Sequence, residues 1–328
     1  MSRKVSGEAN SPQTGTGIMA KSSSTHPQGN IGFVGLGRMG SAMAANLATS
    51  GISVVGLVRR ADQMERIAKL GVKPTLDAAD LFACDIVISM LPDDAIVRDV
   101  FFGRQGLARR MKTGATHLSM STISTGAASG FVREHARRNQ RYVAAPVFGN
   151  PDAAKERQLF VITAGAESDI EQCRPLLEKM GQRIFVIGAD PAQANLVKLL
   201  GNMMTATTLE MLAETTTVIR RRGIDPAMFV DVLTNTMFGG RAHRIYGDRI
   251  VQQEYAAGFA LPLALKDVRL ALAEAEEAGV PMPSVDVVRD RMIVGIARGH
   301  GNLDWSALGL IADEEVTPDA PRAPSSTQ

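Results

Sequence analysis

The chain has 328 residues, long enough for two domains that each bury a substantial core. Hydrophobic residues make up 45% of it and charged residues 21%, a balance that is ordinary for a soluble globular enzyme. Its 36 basic and 34 acidic side chains leave a net charge of +2, which gives no reason to expect nucleic acid as a partner.

The two ends of the chain differ in composition from the rest. Residues 1–29 are rich in Ser, Thr, Gly, Pro and Gln and lack the apolar stretch of a secretory signal, and residues 313–328 are rich in Pro, Ser, Thr and Ala. We predict that both segments are disordered, and neither enters the fold argument.

The cysteines and the hydropathy of the chain bear on its compartment, on metal binding and on membrane insertion. Cys84 and Cys173 lie in predicted core segments, and no Cys- or His-rich cluster suggests a metal site. No apolar run approaches the ~20 residues that a membrane-spanning helix needs. We therefore expect a cytoplasmic protein with reduced thiols, no metal and no membrane partner.

The first half of the chain alternates strand and helix patterns. In chain order they are a strand at 31–34, a helix from 41, a strand at 53–58, a helix at 62–70, a strand at 84–91, a helix at 93–101, a strand at 116–119, a helix at 125–138, strands at 141–145 and 158–164, a helix at 169–180 and a strand at 183–187. Such alternation predicts an α/β domain with a mostly parallel, doubly wound sheet over residues 30–190.

The second half has only helical patterns. One long helix is predicted at 192–221, followed by helices near 226–235, 241–253, 263–278, 285–298 and 306–311. We predict an all-α second domain over residues 191–312, with the long helix as the bridge between the two domains.

A glycine-rich turn follows the first predicted strand. Gly35, Gly37 and Gly40 have the spacing G-x-G-x-x-G between that strand and the first helix. In such a turn the first glycine permits the bend, the second admits a pyrophosphate to the backbone, and the third lets helix and strand pack closely. The N–H groups and dipole of the helix start favour the diphosphate. We predict that a dinucleotide binds at Gly35, Leu36, Gly37, Arg38, Met39 and Gly40; a glycine-rich turn of another α/β protein is the alternative.

The end of the second predicted strand indicates which dinucleotide binds. NAD-binding folds usually place Asp or Glu there to accept from the ribose hydroxyls. This strand instead ends in Arg59 and Arg60, whose guanidiniums suit the 2′-phosphate of NADP. We predict NADP (NADPH) as the cofactor, with NAD as the less favoured one; the alternative is that both arginines are solvated residues of the next helix.

The next two predicted strands end at the same crevice, since the carboxyl ends of parallel strands share one edge. Leu91 and Pro92 close one strand, and Thr122 and Ser124 follow the other. We predict Leu91, Pro92 and Thr122 as cofactor contacts, with Thr122 near the nicotinamide ribose. Ser124 is equally consistent with a helix N-cap.

The long helix carries the candidate proton donor. Asn195, Lys198, Asn202 and Thr205 share one face among apolar neighbours, which indicates a helix buried on most sides. Burial lowers the pKa of a lysine, so Lys198 could protonate a carbonyl oxygen that receives a hydride. Asn202, one turn on, could donate to the same oxygen or fix the substrate. The alternative is a lysine whose ammonium reaches solvent.

Four separated segments carry a family resemblance: G-F-V-G-L-G-R-M-G-S-A-M-A-A-N-L at 32–47, A-P-V-F-G at 145–149, K-L-L-G-N at 198–202 and F-A-L-P-L-A-L-K-D-V at 259–268. Over about residues 31–311 the chain resembles the β-hydroxyacid dehydrogenase family, which includes 3-hydroxyisobutyrate dehydrogenase, tartronate semialdehyde reductase and glyoxylate/succinic semialdehyde reductases. The resemblance implies an N-terminal Rossmann domain, a helical second domain, a site in the cleft between them, and homodimers or homotetramers built through the helical domain. It also implies that Lys198 is catalytic, that Lys266 reaches the nicotinamide half of the cofactor, and that Asp267 holds Lys266 or is structural.

The departures from the family pattern concern the substrate. Phe148 replaces a carboxylate-binding serine, Asn150 replaces a glycine, Ala144 replaces an aspartate, and Gly201 replaces the first Asn of K-x-x-N-N. Phe148 cannot donate a hydrogen bond to a carboxylate, although the N–H of Gly149 still can. We predict that Phe148, Gly149 and Asn150 line the substrate pocket, and that it favours a less polar or differently anchored carbonyl compound.

A replacement for the lost anion anchor has three candidates. Arg241, His243 and Arg244 follow the glycine-rich segment 238–240. Solvated charges on a helix face are the alternative for all three.

These patterns predict an NADP-dependent oxidoreductase that transfers hydride between NADPH and the carbonyl of a small semialdehyde or keto compound, or oxidises a β-hydroxyacid in reverse. Imine reductase-like activity is one alternative, although imine reductases typically carry Asp or Tyr where Lys198 stands. A decarboxylating 6-phosphogluconate-type enzyme would need a phosphate clamp and a longer helical domain. A non-catalytic NADP-binding module would be expected to lose the proton donor.

Overall fold

The computed structural model describes residues 30–316. Its strands are β1 (Ile31–Val34), β2 (Val54–Leu57), β3 (Lys73–Thr75), β4 (Ile86–Ser89), β5 (Thr116–Ser119), β6 (Arg141–Ala144), β7 (Val147–Phe148), β8 (Leu159–Ala164) and β9 (Gly181–Gly188). Its α-helices are α1 (Arg38–Thr49), α2 (Met64–Ala68), α3 (Asp94–Phe102), α4 (Thr125–Ala136), α5 (Pro151–Lys155), α6 (Glu167–Met180), α7 (Pro191–Arg221), α8 (Pro226–Thr234), α9 (Arg241–Gln252), α10 (Leu261–Glu277), α11 (Pro283–Ala297) and α12 (Leu308–Glu315).

The strands form one mixed sheet in the order β3-β2-β1-β4-β5-β6-β8-β7, with β9 on the free side of β8. The first six are parallel and have the strand order of dinucleotide-binding folds. The strand order reverses between β1 and β4, so the ends of these two strands open a crevice at the edge where ligands bind in such sheets. The predicted α/β fold with a helical second part is confirmed.

Three short elements were not predicted. Strand β3 has three residues, one of them Pro74, which lacks an N–H and is tolerated because the strand lies at the edge of the sheet. Strand β7 has two residues and pairs antiparallel with β8, as β6 does. Helix α5 is a five-residue turn that begins at Pro151. Elements this short have too few residues to show a hydrophobic period.

Helix α7 connects the sheet to the helical part of the chain. It begins at Pro191, where the Asp190 carboxylate accepts a hydrogen bond from the Ala192 N–H at 3.0 Å, and runs for 31 residues without a break. Its first turns pack on β6 and β8, and later turns pack on α9, α10 and α12. The lysine at its second turn therefore lies where the two parts of the chain meet.

A chain of buried polar side chains crosses the core beside the sheet. Ser89 Oγ lies 2.8 Å from His117 Nε2, His117 Nδ1 lies 2.9 Å from His135 Nε2, and His135 Nδ1 lies 3.0 Å from Gln140 Oε1. Gln140 Nε2 donates to two backbone carbonyls, so its Oε1 must accept. Burial lowers the pKa of both imidazoles, so each ring is a neutral donor–acceptor, and the Ser89 hydroxyl donates into the chain. Burial lowers the pKa of His135 to about 4.

The C-terminal boundary of the helical part was predicted too early. Helix α12 continues to Glu315, three residues into the segment predicted to be disordered. The Asp313 carboxylate accepts a hydrogen bond from Thr217 at 2.6 Å and pairs with Arg220, which fixes this turn on α7. Residues 1–29 and 317–328, for which disorder was predicted, lie outside the described residues.

Candidate active site

A cavity of ≈ 580 Å³ opens where β1, β4 and β5 end against α7, α9 and α10. It is lined by fourteen of the residues predicted from the sequence for the site: Gly35, Gly37, Arg38, Met39, Gly40, Leu91, Pro92, Thr122, Phe148, Gly149, Asn150, Lys198, Asn202 and Lys266. The fold thus brings the glycine-rich turn, the β7 segment, the lysine helix and α10 to one cavity.

The predicted cofactor residue Leu36 does not line this cavity. Its side chain is buried and packs over Gly56 of β2, because the bend at Gly35 turns it into the core. Its carbonyl oxygen accepts a hydrogen bond from Arg66 Nη2 at 3.2 Å. Arg66 is therefore a cation beside the turn, and no sequence motif had pointed to it.

Arg59 and Arg60 also lie outside the cavity lining, on the exposed surface after β2. The Arg60 guanidinium pairs with Asp62 at 3.0 Å, and both side chains are more than half exposed. Within residues 30–316 the Arg59 guanidinium has no such partner. An exposed pair of this kind contributes little to stability, so the Asp62 carboxylate is easily exchanged for another anion.

The glycine-rich turn fits a diphosphate. A Cβ at Gly35, which has φ of +92°, would overlap the Met90 carbonyl oxygen, and one at Gly40 would overlap the Gly35 carbonyl oxygen. A Cβ at Gly37 would meet no atom of residues 30–316 within 4 Å, so these residues leave open space over it. Gly37 caps α1 without a side-chain hydrogen bond, and the first turn holds no acidic residue. The helix start thus keeps donors and positive potential for an anion.

Lys198 is buried, with 6% of its surface exposed. Its Nζ donates to Asn202 Oδ1 at 2.7 Å and lies 4.2 Å from the ring centroid of Phe148. Burial lowers its pKa from 10.5 to about 8; Asp267 opposes this shift and Lys266 adds to it. The side chain can therefore give up or take a proton near neutral pH.

Asn202 is held at both ends of its amide. Its Oδ1 accepts from Lys198, and its Nδ2 donates to Asp267 Oδ2 at 2.6 Å. The buried Asp267 pairs through Oδ1 with Lys266 Nζ at 2.8 Å, and Lys266 donates to the Thr122 carbonyl oxygen at 2.6 Å. The amide thus positions the ammonium of Lys198, and the nitrogen that the sequence offered as a donor to the substrate oxygen is bonded to Asp267.

The β7 segment places an aromatic ring beside this array. The ring of Phe148 lies directly on α7 at Gly201, where a Cβ would overlap its Cζ atom. Gly149 follows with φ of +138°, a conformation that favours glycine. Asn150 caps α5, since its Oδ1 accepts from the Ala153 N–H at 2.9 Å.

Other residues on the predicted helix faces have structural partners. The Oδ1 atom of Asn195 accepts from the Ile123 N–H at 3.5 Å, and Asn195 does not line the cavity. Thr205 lines it, while its hydroxyl donates to the Gly201 carbonyl oxygen at 3.0 Å. Ser124 is the N-cap of α4 and accepts from the Ala127 N–H.

Of the three candidate anion anchors, only Arg241 lines the cavity. The guanidinium of Arg244 donates to the carbonyl oxygens of Gly239 and Thr234, and His243 packs against Phe238. Arg241 is the first residue of α9, and within residues 30–316 its guanidinium has no partner.

An aromatic wall from the helical part went unnoticed in the sequence. Tyr246 and Phe259 each meet the ring of Trp305 edge-on, at centroid distances of 5.5 and 5.0 Å, and all three line the cavity. The loop before α10 is held by Asp304, which accepts from the Gly258 and Phe259 N–H groups. Because Asp304 is 45 residues further along the chain than Phe259, no local pattern could have shown this contact.

Comparison with known proteins assigns the chain to a family. Residues 30–188 match the NAD binding domain of 6-phosphogluconate dehydrogenase, and residues 192–310 match the domain described as NAD-binding of NADP-dependent 3-hydroxyisobutyrate dehydrogenase. The chain belongs to the 3-hydroxyisobutyrate dehydrogenase family. The resemblance stated from the four sequence segments is thereby confirmed, and the protein is an NAD(P)-dependent oxidoreductase of the β-hydroxyacid dehydrogenase type.

Relatives of this family share nearly the whole of their length with the chain. It is 34% identical over 281 residues to an uncharacterized oxidoreductase, YfjR, of Bacillus subtilis, which covers 85% of this chain and 98% of the relative. It is 28% identical over 284 residues to glyoxylate/succinic semialdehyde reductase 1 of Arabidopsis thaliana, covering 85% and 96%. The crystal structure of 3-hydroxyisobutyrate dehydrogenase from Salmonella typhimurium has the same fold, with a TM-score of 0.79 at 24% identity, covering 86% and 99%.

Two further properties bear on ligands. In residues 30–316, every helix falls short of the length or apolar character that crossing a membrane requires. Over the same residues, no group of three or more His, Cys, Asp or Glu side chains could hold a metal ion.

Proposed function

We propose that the protein uses NADPH to reduce the carbonyl group of a small semialdehyde or related keto compound, and that it oxidises the corresponding hydroxy compound in reverse. The observation that carries this proposal is the buried ammonium of Lys198, which faces the same cavity as the glycine-rich turn. Membership of the 3-hydroxyisobutyrate dehydrogenase family supports it.

In this reaction the cofactor would supply the hydride and the protein would supply the proton. A nicotinamide cofactor, when bound, supplies a hydride to the carbonyl carbon. Lys198 Nζ would give the matching proton to the carbonyl oxygen, so the C=O double bond becomes a C–O single bond with one new C–H and one new O–H bond, and the lysine is left as a neutral amine. Asn202 and Asp267 hold the ammonium in place through the hydrogen bonds described above. The N–H of Gly149 would orient the substrate beside Lys198.

The nicotinamide half and the 2′-phosphate of the cofactor would bind at opposite ends of the site. Leu91, Pro92, Thr122 and Lys266 would seat the nicotinamide half, since they line the cavity next to Lys198. At the other end, the guanidinium of Arg59, which has no partner within residues 30–316, would pair with a 2′-phosphate, which favours NADP over NAD. Arg60 would contribute by exchanging Asp62 for that phosphate.

We also propose a homodimer, or a tetramer built from such dimers, formed through the outer face of α7. Val197, Met204, Met211 and Val218 recur every seven residues there and are each more than a third exposed. A seven-residue repeat keeps apolar side chains on one face of a helix, and an apolar stripe of this length indicates a partner surface. A second copy of this chain, which offers the same stripe, would cover it.

Domain limits and compartment complete the proposal. The cofactor domain would span residues 30–190, and the substrate and dimerisation domain would run from residue 191 to the end of α12 at Glu315. Cys84 and Cys173 are both free and buried, which fits a reducing compartment such as the cytoplasm.

The decisive experiment replaces Lys198. For Lys198→Ala we expect kcat with succinic semialdehyde, measured from the decrease in NADPH absorbance, to be about 10²–10⁴-fold lower than for wild type. NADPH binding, measured by fluorescence, should be retained. Lys69→Ala is the matched control, because Lys69 is an exposed lysine in an ion pair with Glu65 and touches no part of the cavity. A wild-type rate in Lys198→Ala would remove the basis of the proposed chemistry.

A further inference from the structure

The contact between Phe148 and Gly201 combines two of the departures from the family pattern. A Cβ on residue 201 would overlap Phe148 Cζ and lie 2.7 Å from Cε1, so this ring position requires glycine on the facing turn of α7. Conversely, the ring fills the volume that any side chain at 201 would occupy. The two residues are thus matched in shape, although 53 positions separate them in the sequence.

The position of the ring is set by the sheet. Phe148 ends β7 and lies opposite Phe160 of β8 in an antiparallel pair, so its backbone is fixed by strand pairing. Its side chain projects to α7, where the ammonium of Lys198 lies over the ring face. The negative face of an aromatic ring attracts a cation and offers nothing to an anion.

The surroundings of Lys198 contain few donors for an anion next to the reacting carbonyl. Gly201 has no side chain, and the Thr205 hydroxyl donates to a backbone carbonyl. On the β7 side the donors are the N–H of Gly149 and the amide nitrogen of Asn150, whose oxygen caps α5. Arg241, a guanidinium in the cavity lining that has no partner in the described part of the chain, comes from the separate helix α9.

We infer that Phe148 and Gly201 together form a specificity-determining pair that admits aldehydes whose carbonyl carbon bears an apolar group and rejects 2-oxo acids, whose carboxylate is attached directly to that carbon. The inference rests on the proposed function and narrows its substrate class. A carboxylate attached to the reacting carbon would lie against the ring face and lose water there, and the ring gives it no donor in exchange. A methylene chain at the same place packs against the ring, and a carboxylate further along it can reach the Arg241 side of the cavity.

The kinetic test compares glyoxylate, succinic semialdehyde and butanal as substrates at saturating NADPH. We expect wild-type kcat/KM to be at least about 100-fold higher for succinic semialdehyde than for glyoxylate, with butanal also turned over. Phe148→Ser, which adds a donor, should narrow this ratio by about 10- to 100-fold, mainly through a lower KM for glyoxylate. Phe148→Leu removes the ring without adding a donor, and it should leave glyoxylate a poor substrate.

Each kinetic outcome has a defined meaning. A wild-type preference for glyoxylate, or equal ratios in Phe148→Ser and Phe148→Leu, would overturn the inference. Failure of the wild type to reduce any of the three aldehydes would instead overturn the proposed function.

A thermal-unfolding cycle tests the matched pair without any turnover. Gly201→Ala should lower the unfolding midpoint by about 2–6 °C in the wild-type background, because the new methyl group displaces the ring. In a Phe148→Ala background the same substitution should raise the midpoint, since alanine is the better helix former. The same sign and size of effect in both backgrounds would show that the two residues are not matched.

Discussion

Asp267 controls the proton donor through a neutral intermediary, and Asp267→Asn tests this control. Lys198 Nζ and Asp267 Oδ2 are linked through Asn202 by hydrogen bonds of 2.7 and 2.6 Å. Asparagine at 267 keeps an oxygen for Asn202, removes the charge, and places its amide nitrogen where an oxygen now pairs with Lys266. Since Asp267 favours the ammonium form, its loss should lower the pKa of Lys198 below its present value of about 8.

The magnitude follows from the separation of the two charges. At ~7 Å and an effective dielectric constant of ~20, the attraction amounts to about 2 kcal/mol. That corresponds to a shift of about 1–2 pH units. Reduction needs the protonated lysine, so the rate falls as pH rises through the pKa. The alkaline limb of the wild-type profile should therefore lie near pH 8, and that of Asp267→Asn about 1–2 units lower.

The assay is kcat for aldehyde reduction between pH 5.5 and 10 at saturating NADPH and aldehyde, with pH values on the order of half a unit apart. Lys266→Met is the matched control, because Lys266 lowers the pKa of Lys198 and its removal should move the limb to higher pH. Arg38, Arg241 and other charges that line the cavity are unchanged in both variants. A limb that stays in place, or moves the same way in both variants, would refute the electrostatic account.

Three further predictions concern stability, cofactor choice and assembly. The buried His135 stays neutral in the folded protein, whereas in the unfolded chain its imidazole binds a proton below pH 6.5. The difference in free energy of unfolding between wild type and His135→Gln should therefore shrink by about 2–3 kcal/mol as the pH falls from 7 to 4.5, measured by denaturant unfolding. The comparison with the variant is needed because burial raises the pKa of Glu210 to about 7, which titrates in the opposite sense; an advantage that is constant with pH would count against the neutral imidazole. Arg59→Ala should raise KM for NADPH by about 10- to 100-fold and leave KM for NADH nearly unchanged, and equal changes for both cofactors would exclude the 2′-phosphate contact. Met211→Glu should convert the oligomer to monomers in sedimentation experiments, whereas an unchanged mass would place the interface elsewhere.

The sequence was informative wherever one segment contains the whole signal. The apolar run at 84–91 contains β4, and the spacing of Gly35, Gly37 and Gly40 predicted a turn whose backbone has the required geometry. The apolar surroundings of Lys198 on its helix indicated burial, which the structure has. Each of these depends on residues within one or two turns or strands of each other.

The sequence could not predict contacts between residues that are far apart in the chain. Asn202 and Asp267 are 65 residues apart, so the orientation of the amide depends on how α10 packs against α7. From the sequence, Phe148 in place of Ser and Gly201 in place of Asn are two separate departures. Only the tertiary structure shows that the ring of Phe148 occupies the space that a side chain at Gly201 would fill. The burial of the Leu36 side chain could not be predicted from the sequence for a similar reason, since the bend at Gly35 decides which way that side chain points.

The polar chain from Ser89 to Gln140 has a consequence for how this sequence can change. Because the Gln140 amide nitrogen is committed to the Ala108 and Met111 carbonyl oxygens, every proton in the chain has one possible direction. Replacing His117 alone would leave the Ser89 hydroxyl and the His135 imidazole without a hydrogen-bond partner in a place that water does not reach. We therefore expect these four positions to vary in concert among relatives, as a single inherited unit that is either kept whole or exchanged for an apolar set.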